Sequence, residues 1–325
     1  MQKRMLGPLE TSAIGYGAMV LIGLYGVVDE QEGVDVINRA LDLGVTMIDT
    51  ANAYGVDGAN EMLVGRAIRD RRDQIQVATK WGIVAPGEHA NRVGATYENE
   101  IWIDARPSRA RGAAEASIRR LGVDAIDLWY LHFPDPGRPV EEAVGAMAEL
   151  VATGEVRHLG LSNVNAEQLR RAYAVHPIAA VQVEYSLWTR DVESELLPVA
   201  RELDVGIVAW GPLGNGFLAQ PITKLEDGDF RHNAPRFQRE NLERNLDRFA
   251  PLRGLADELG ITPAQLALAW LLHQGDDVVP IPGTRSPAHL ESNVAAADIH
   301  LDDDVLARIE ETTPAGLAAG AALLG

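Results

Sequence analysis

The feature that most constrains the fold of this chain is a repeated alternation of short apolar, β-branched runs with helical segments. Such runs are typical of strands covered on both faces, as in a parallel sheet flanked by helices. The runs occupy residues 13–17, 45–48, 75–78, 126–131, 156–161, 180–183, 206–210 and 278–281. Eight parallel strands can close into a (β/α)₈ barrel or stay open as a doubly wound sheet, and the alternation alone allows both.

The ends of the helices locate the loops of this α/β chain. Thr262-Pro263-Ala264-Gln265 is a capping box with proline at the first helical position. Two connections, residues 82–106 and 211–249, are much longer than usual and directly follow strands. Because ligands bind at the carboxyl ends of such strands, we predict lids or substrate walls there. Residues 314–325, rich in Ala, Gly and Leu, are predicted to form a flexible tail.

Charge and cysteine usage exclude several classes of function. With 29 Lys plus Arg against 47 Asp plus Glu, the net charge is −18, and no basic stripe is visible. We therefore expect binding neither to nucleic acid nor to membranes. No cysteine is present, which removes disulfides, thiolate zinc sites and a cysteine nucleophile. Five scattered histidines show no metal-ligand spacing, so no metal is predicted: His89, His158, His176, His232 and His300.

The uncharged stretch 11–28 superficially resembles a secretory signal. Four glycines interrupt it, however, whereas a signal core is more continuously apolar. We interpret the stretch as a buried strand followed by a glycine-rich loop. The acidic composition and the missing cysteines then lead us to expect a cytoplasmic protein.

Four side chains follow three of the predicted strands and should meet at one rim. Asp49 and Tyr54 follow the second strand, Lys80 the third and His132 the fourth. A free tyrosine has a pKa of about 10 and is a poor acid at neutral pH. A nearby lysine ammonium stabilises the phenolate and so lowers the pKa of the tyrosine, and an aspartate holds that ammonium in place. Such a tyrosine can donate a proton to a developing alkoxide, while a neutral histidine orients the carbonyl oxygen.

Seven segments in order give the chain a specific resemblance. They read DTANAYG (49–55), ATKW (78–81), LHFPD (131–135), GLSN (160–163), VQVEYS (181–186), GPLGNG (211–216) and IPGTR (281–285). The chain resembles the aldo-keto reductases, NAD(P)H-dependent oxidoreductases, from about residue 6 to residue 297. The resemblance implies one (β/α)₈ TIM-barrel domain over residues 1–325, with a short N-terminal β-hairpin and long loops at the C-terminal rim.

The resemblance also implies roles for individual residues. It makes Tyr54 the acid/base, Lys80 and Asp49 its tuning pair, and His132 the carbonyl-orienting group. The cofactor positions that it implies are Ser162, Asn163, Gln182, Trp210, Gly211, Pro212, Leu213, Gly214, Gly216, Gly283, Thr284, Arg285, His289 and Asn293. Of these, Ser162, Asn163 and Gln182 match the residues that hold the nicotinamide carboxamide. Trp210 stands where a Tyr or Phe usually stacks on the nicotinamide ring.

The adenosine end departs from the family pattern. Thr284 and Arg285 match a clamp for the 2′-phosphate, which favours NADPH over NADH. His289 and Ser292, however, stand where the family commonly has Arg and Glu, so the preference for NADPH depends mainly on Arg285. Gly211 replaces the usual serine, which removes a hydroxyl from the expected pyrophosphate loop.

The leading hypothesis is reversible, NADPH-dependent reduction of an aldehyde or ketone to an alcohol, on a small-molecule substrate. Aromatic side chains on or near the rim loops are predicted to line the substrate pocket: Tyr25, Trp81, Trp102, Phe133, Trp188 and Phe217. One alternative is a redox-sensing regulatory subunit of the same fold, similar to potassium-channel β subunits. A second alternative is a metal-assisted lyase or hydrolase on a barrel.

Overall fold

The computed structural model describes residues 1–22, 29–87, 89–96, 99–225 and 229–322. The strands in these ranges are β1 (Lys3–Leu6), β2 (Leu9–Ser12), β3 (Tyr16–Gly17), β4 (Met47–Asp49), β5 (Gln76–Trp81), β6 (Ile83–Val84), β7 (Asn91–Thr96), β8 (Asn99–Ile103), β9 (Ile126–Leu131), β10 (Val156–Ser162), β11 (Ala180–Glu184), β12 (Gly206–Trp210) and β13 (Val278–Pro280). The helices are α1 (Glu30–Asp42), α2 (Ala59–Ile68), α3 (Pro107–Leu121), α4 (Val140–Ala152), α5 (Ala166–Tyr173), α6 (Leu196–Glu202), α7 (Arg239–Arg248), α8 (Ala250–Glu258), α9 (Pro263–His273), α10 (Pro287–Ala295) and α11 (Asp303–Thr312).

Within the described ranges, eight parallel strands form one sheet in the order β3, β4, β5, β9, β10, β11, β12, β13. A hydrogen bond from the Gly15 N–H to the Pro280 carbonyl, 2.9 Å long, joins the first and last strands. The interior is packed by fully buried side chains, including Met47, Leu128 and Val208. This closure confirms the (β/α)₈ barrel, because a doubly wound sheet would leave both edge strands apart.

The end of the barrel opposite the carboxyl ends of its strands is covered by the antiparallel hairpin β1–β2. The Arg4 guanidinium donates to the carbonyls of Val278 (2.9 Å) and Leu272 (2.7 Å), which ties the hairpin to β13 and α9. Leu6 packs so closely over Gly206 that a Cβ there would overlap it. The hairpin therefore leaves the opposite rim as the place for a ligand.

Both predicted long connections lie at the carboxyl ends of the strands and contain regular structure. The first carries an antiparallel sheet in the order β6, β8, β7, which stands beside the barrel mouth. The second carries short 3₁₀ turns followed by α7. The predicted capping box at Thr262 begins α9, a second capping box at Asn165 begins α5, and a left-handed Gly122 ends α3.

The tail differs from the sequence-based expectation of a flexible segment over 314–325. The Ala319 N–H donates to the Asn245 side chain (2.7 Å), whose amide returns a bond to the Ala319 carbonyl (3.0 Å). Arg248 donates to the Leu317 carbonyl at 2.7 Å. Residues 314–322 are thus held against α7, because side chains of α7 satisfy the tail backbone. Residues 323–325 lie outside the described residues.

No helix in the described ranges is both long and apolar enough to cross a membrane.

Candidate active site

An ion-paired cluster lies at the carboxyl ends of β4 and β5. The Lys80 ammonium donates to Asp49 Oδ1, to the Thr50 carbonyl at 2.9 Å and to the Tyr54 hydroxyl at 3.3 Å. Lys80 and Asp49 are buried, whereas Tyr54 is half-buried and faces a cavity. Parallel pairing of β4 with β5 brings these side chains to one rim, and the loop after β4 returns Tyr54 over the ammonium.

The protonation of this cluster is set by burial and by the Lys80 charge. Burial raises the pKa of Tyr54; the Lys80 ammonium opposes this rise and the Asp49 carboxylate adds to it. This direction corrects the sequence-based expectation that Lys80 leaves Tyr54 with a lowered pKa. Burial by itself would lower the pKa of Lys80, but Asp49 and Tyr54 outweigh it and raise the value. At neutral pH the cluster therefore holds a phenol next to a charged ammonium.

His132 follows β9 and contacts the same cavity. Its ring lies edge-on to Tyr54, with 5.9 Å between ring centroids. Burial, followed by repulsion from the Lys80 charge, holds the pKa of His132 well below its ordinary value. Its imidazole is therefore neutral at physiological pH. A neutral imidazole beside a phenol can orient a carbonyl oxygen by a hydrogen bond.

Three polar side chains from the next two strands surround this cluster. Gln182 donates from Nε2 to Asp49 Oδ2 at 2.7 Å. The Asn163 side chain donates to the Ser162 hydroxyl and to the His132 carbonyl, each at 3.0 Å. Together they supply amide and hydroxyl groups that match a planar carboxamide.

A cavity of about 920 Å³ runs from this cluster along the rim. Predicted site residues that line it are Asp49, Tyr54, His132, Phe133, Ser162, Asn163, Gln182, Trp210, Gly211, Pro212, Leu213, Gly216, Gly283, Thr284, Arg285, His289 and Asn293. Lys80 lies beneath the floor. Gly214 is the exception among the predicted cofactor positions, since it is buried and a Cβ there would overlap the Trp188 indole. The missing side chain at Gly214 therefore allows the turn to pack closely against Trp188.

Several predicted pocket aromatics lie elsewhere. Trp81 is buried and stacks on Trp129, with centroids 5.3 Å apart, because it points away from the barrel mouth into the layer under the helices. Trp188 is buried in an aromatic cluster with Phe217, whose centroid lies 3.9 Å away. These three do not line the described part of the cavity, which corrects the expectation.

The remaining aromatics divide between the rim and its surroundings. Phe133 does line the cavity. Trp102 on β8 is not among the residues that line the described cavity, which corrects that expectation. Its indole N–H donates to Glu100, and Glu100 and Ile101 line the cavity in its place. Tyr25 lies outside the described residues.

Some lining residues were missed by sequence reasoning. One wall is formed by Gly17, the last residue of β3, and by Met19, Val20 and Ile22 after it. The glycine-rich loop after the first run was the only available signal. Thr262 and Arg231 also reach the cavity, from the start of α9 and from the second long connection. Their contribution depends on how distant segments pack, which local sequence does not encode.

The residues fit a dinucleotide. The cavity is lined at one end by the amide cluster near Tyr54 and at the other by exposed cationic and polar groups at Arg285 and His289. Between them, Gly211 and Gly216 adopt φ values of 61° and 91°, which glycine accommodates without strain. Their missing side chains leave backbone facing the middle of the cavity.

Comparisons with known proteins agree with this geometry. The family model for the aldo/keto reductase family matches residues 13–313. A probable aldo-keto reductase 1 from Glycine max is 43% identical over 315 residues, which cover 96% of this chain and 88% of the relative.

Solved structures are similar as well. A glycerol dehydrogenase from Gluconobacter oxydans superposes with a TM-score of 0.82 at 32% identity, covering 95% of this chain and 94% of that one. An aldo/keto reductase from Klebsiella pneumoniae, crystallised with NADP and acetate, gives a TM-score of 0.73 at 30% identity, covering 97% and 96%. The chain therefore belongs to the aldo/keto reductase family.

Proposed function

We propose that this protein catalyses the reversible, NADPH-dependent reduction of an aldehyde or ketone to an alcohol. The observation that carries the proposal is the 3.3 Å contact between the Tyr54 hydroxyl and the Lys80 ammonium at the cavity floor. A phenol in this position is a proton donor whose conjugate base is stabilised by a fixed charge. The binding of NADP by a relative from Klebsiella pneumoniae supports the choice of cofactor.

The cofactor would be held along the whole cavity. Ser162, Asn163 and Gln182 offer donors and acceptors to the carboxamide, and Trp210 offers a ring face to the nicotinamide. The backbone of Gly211 and Gly216 would approach the pyrophosphate, and Asn293 would contact the adenine. At the far end, Thr284 and Arg285 would hold the 2′-phosphate, since a guanidinium matches phosphate oxygens. When bound, the dihydronicotinamide supplies a hydride to the carbonyl carbon.

The residues of this chain supply the proton and the orientation. His132 donates a hydrogen bond to the carbonyl oxygen and fixes it next to Tyr54. As negative charge develops on that oxygen, the Tyr54 hydroxyl transfers its proton and an alcohol results. The phenolate left behind lies against the Lys80 ammonium, which Asp49 holds in place. A proton from solvent restores the phenol.

The pocket beside this cluster favours substrates with an apolar group. Ile83, Ile101 and Phe133 line the cavity, and the Phe133 ring stacks on His132 with 5.3 Å between centroids. A buried apolar group contributes roughly 25 cal/mol for each Å² removed from water. Glu100 at the edge is already ion-paired with Arg92, at 2.9 Å.

The test is a panel of aldehydes and ketones, scored by the loss of dihydronicotinamide absorbance with NADPH and with NADH. We expect turnover of at least one carbonyl class, with lower KM for NADPH. Tight NADPH binding without turnover of any carbonyl would contradict the proposal and favour the redox-sensing subunit. A matched reaction with Tyr54→Phe shows whether the absorbance loss depends on the proposed acid.

A further inference from the structure

Two polar side chains at the start of α2 are buried between the barrel and its helical layer. Asn60 is 1% exposed and Glu61 is 0% exposed. Burial of an amide or a carboxylate is unfavourable unless its polar atoms are paired. Here every polar side-chain atom of Asn60 and Glu61 is hydrogen-bonded to a described residue. Two of these partners, Thr50 and Thr79, are the sequence neighbours of Asp49 and Lys80.

Asn60 joins three separate segments of the chain. Its Oδ1 accepts from the Thr50 hydroxyl at 2.6 Å, and its Nδ2 donates to the Ala18 carbonyl at 2.9 Å. Its backbone N–H donates to the Tyr54 carbonyl at 3.1 Å. These three partners belong to the end of β4, the segment after β3 and the loop that carries the proposed acid.

Each of these segments contributes a part of the active site. Thr50 directly follows Asp49, and its carbonyl accepts from Lys80 at 2.9 Å. Ala18 lies between Gly17 and Met19, which line the cavity. A displacement of Asn60 would therefore move the Tyr54 loop relative to the Lys80 ammonium.

Glu61 holds the neighbouring strand in a similar way. Its carboxylate accepts from the Thr79 hydroxyl at 2.6 Å and from the Arg120 guanidinium at 2.6 Å. Thr79 immediately precedes Lys80 on β5, and Arg120 comes from α3. The first turn of α2 thus contacts the segments on both sides of the Tyr54–Lys80 pair.

We infer that Asn60 is a positioning residue for the proton transfer, setting the distance and direction between the Tyr54 hydroxyl and the Lys80 ammonium. It touches neither the proposed substrate nor the proposed cofactor, so it acts through Thr50, Tyr54 and Ala18. The inference rests on the proposed function. A misplacement of about 1 Å at a reacting group costs on the order of 100-fold in rate.

The test compares two ways of breaking the Asn60 contacts with one way of keeping them. Asn60→Ala removes both side-chain bonds, and Thr50→Val removes only the hydroxyl that donates to Asn60. Thr50→Ser keeps that hydroxyl and is the conservative rescue. Ser12→Ala is the control, because Ser12 is also buried and its hydroxyl bonds the Ile14 carbonyl (2.7 Å) and the Thr46 N–H (2.9 Å) at the closed end of the barrel.

The readouts are kcat, KM, the dissociation constant for NADPH and the melting temperature. We expect Asn60→Ala to lower kcat by about 100-fold and Thr50→Val by about 10-fold, since misplacement acts on the reacting groups. KM and NADPH affinity should stay within about threefold, and Thr50→Ser should restore kcat. Ser12→Ala should lower the melting temperature without changing kcat of the folded protein.

A readout without cofactor keeps the inference independent of turnover. Amide hydrogen exchange of the free protein should rise at residues 50–58 in Asn60→Ala but not in Ser12→Ala. The inference is overturned if kcat of folded Asn60→Ala equals that of the wild type, or if Thr50→Val and Thr50→Ser behave alike. The proposed function fails separately if Tyr54→Phe turns over carbonyls as fast as the wild type.

Discussion

The two ends of the cavity are built differently. At one end, Lys80, Asp49 and His132 are buried, and Lys80 bonds both Asp49 and Tyr54. At the other end, Arg285 and His289 are exposed around the start of α10. The proposed catalytic end is therefore held together by hydrogen bonds within the chain, whereas the far end presents its groups to solvent.

The difference determines how strongly each end acts. Charges in a buried site interact through a low effective dielectric, so a small displacement or a missing proton has a large effect. Exposed charges are screened by salt over about 8–10 Å at ordinary ionic strength. Substitutions at the catalytic end should therefore change the rate, and those at the far end should change cofactor affinity in a salt-dependent way.

The largest effect is expected from Tyr54→Phe. Loss of the proton donor should lower kcat for carbonyl reduction by about 10³-fold, within the usual range for a general acid. NADPH affinity, measured by fluorescence titration, should change less than about twofold, because binding uses other groups. Tyr173→Phe, on α5, is the matched control. Retained turnover in Tyr54→Phe would show that another group supplies the proton.

Lys80→Met should lower kcat by about 100-fold and shift its pH dependence. Alcohol oxidation needs the Tyr54 phenolate, so its rate rises as the pH approaches the pKa of Tyr54. The Lys80 charge opposes the rise in that pKa; its loss raises the pKa further, and the oxidation profile should move to higher pH. Lys3→Met, at an exposed ion pair, should leave the profile in place. An unshifted profile in Lys80→Met would contradict the electrostatic role.

Arg285→Ala tests the exposed end. We expect NADPH affinity to fall by about 10-fold and NADH affinity by less than about twofold, since only NADPH carries the 2′-phosphate. The NADPH effect should shrink as salt rises from 20 to about 500 mM. Arg244→Ala, on α7, removes a comparable exposed charge away from the cavity. Equal weakening of both cofactors would show that Arg285 does not contact the 2′-phosphate.

The smallest effect is expected from Phe133→Ala, which widens the pocket next to His132. KM for ring-bearing aldehydes should rise by about threefold to tenfold, because apolar contact area is lost. KM for a short aliphatic aldehyde serves as the internal comparison and should change little. Equal changes for both substrates would place Phe133 outside the substrate wall.

The sequence predicts those parts of the site that depend on residues close together in the chain better than those that depend on distant segments. The alternation of runs predicted the strands of the barrel, and chain order predicted that Asp49, Tyr54, Lys80 and His132 reach one rim. The aromatic pocket was predicted less well. Trp81 and Trp188 follow strands as a pocket residue would, yet both are buried in the layer outside the barrel mouth. Residue type and position near a strand end do not distinguish an inward from an outward side chain there.

Residues 314–322 and Asn60 are two further features that the sequence did not predict, because both depend on contacts between distant segments. Residues 314–322 have the composition of a loose tail, but Asn245 and Arg248, distant in sequence, satisfy their backbone. Asn60 gives no sequence signal of a role near Tyr54, since its three partners come from three different segments.

By itself, the sequence determined the order of strands and helices and the chemical groups that each strand delivers to the rim, because local periodicity and covalent order suffice for both. Only the tertiary structure decided how deeply those groups are buried. Burial raised the pKa of Tyr54 instead of leaving it lowered by Lys80, since the cost of removing a charge from water depends on every segment packed around it.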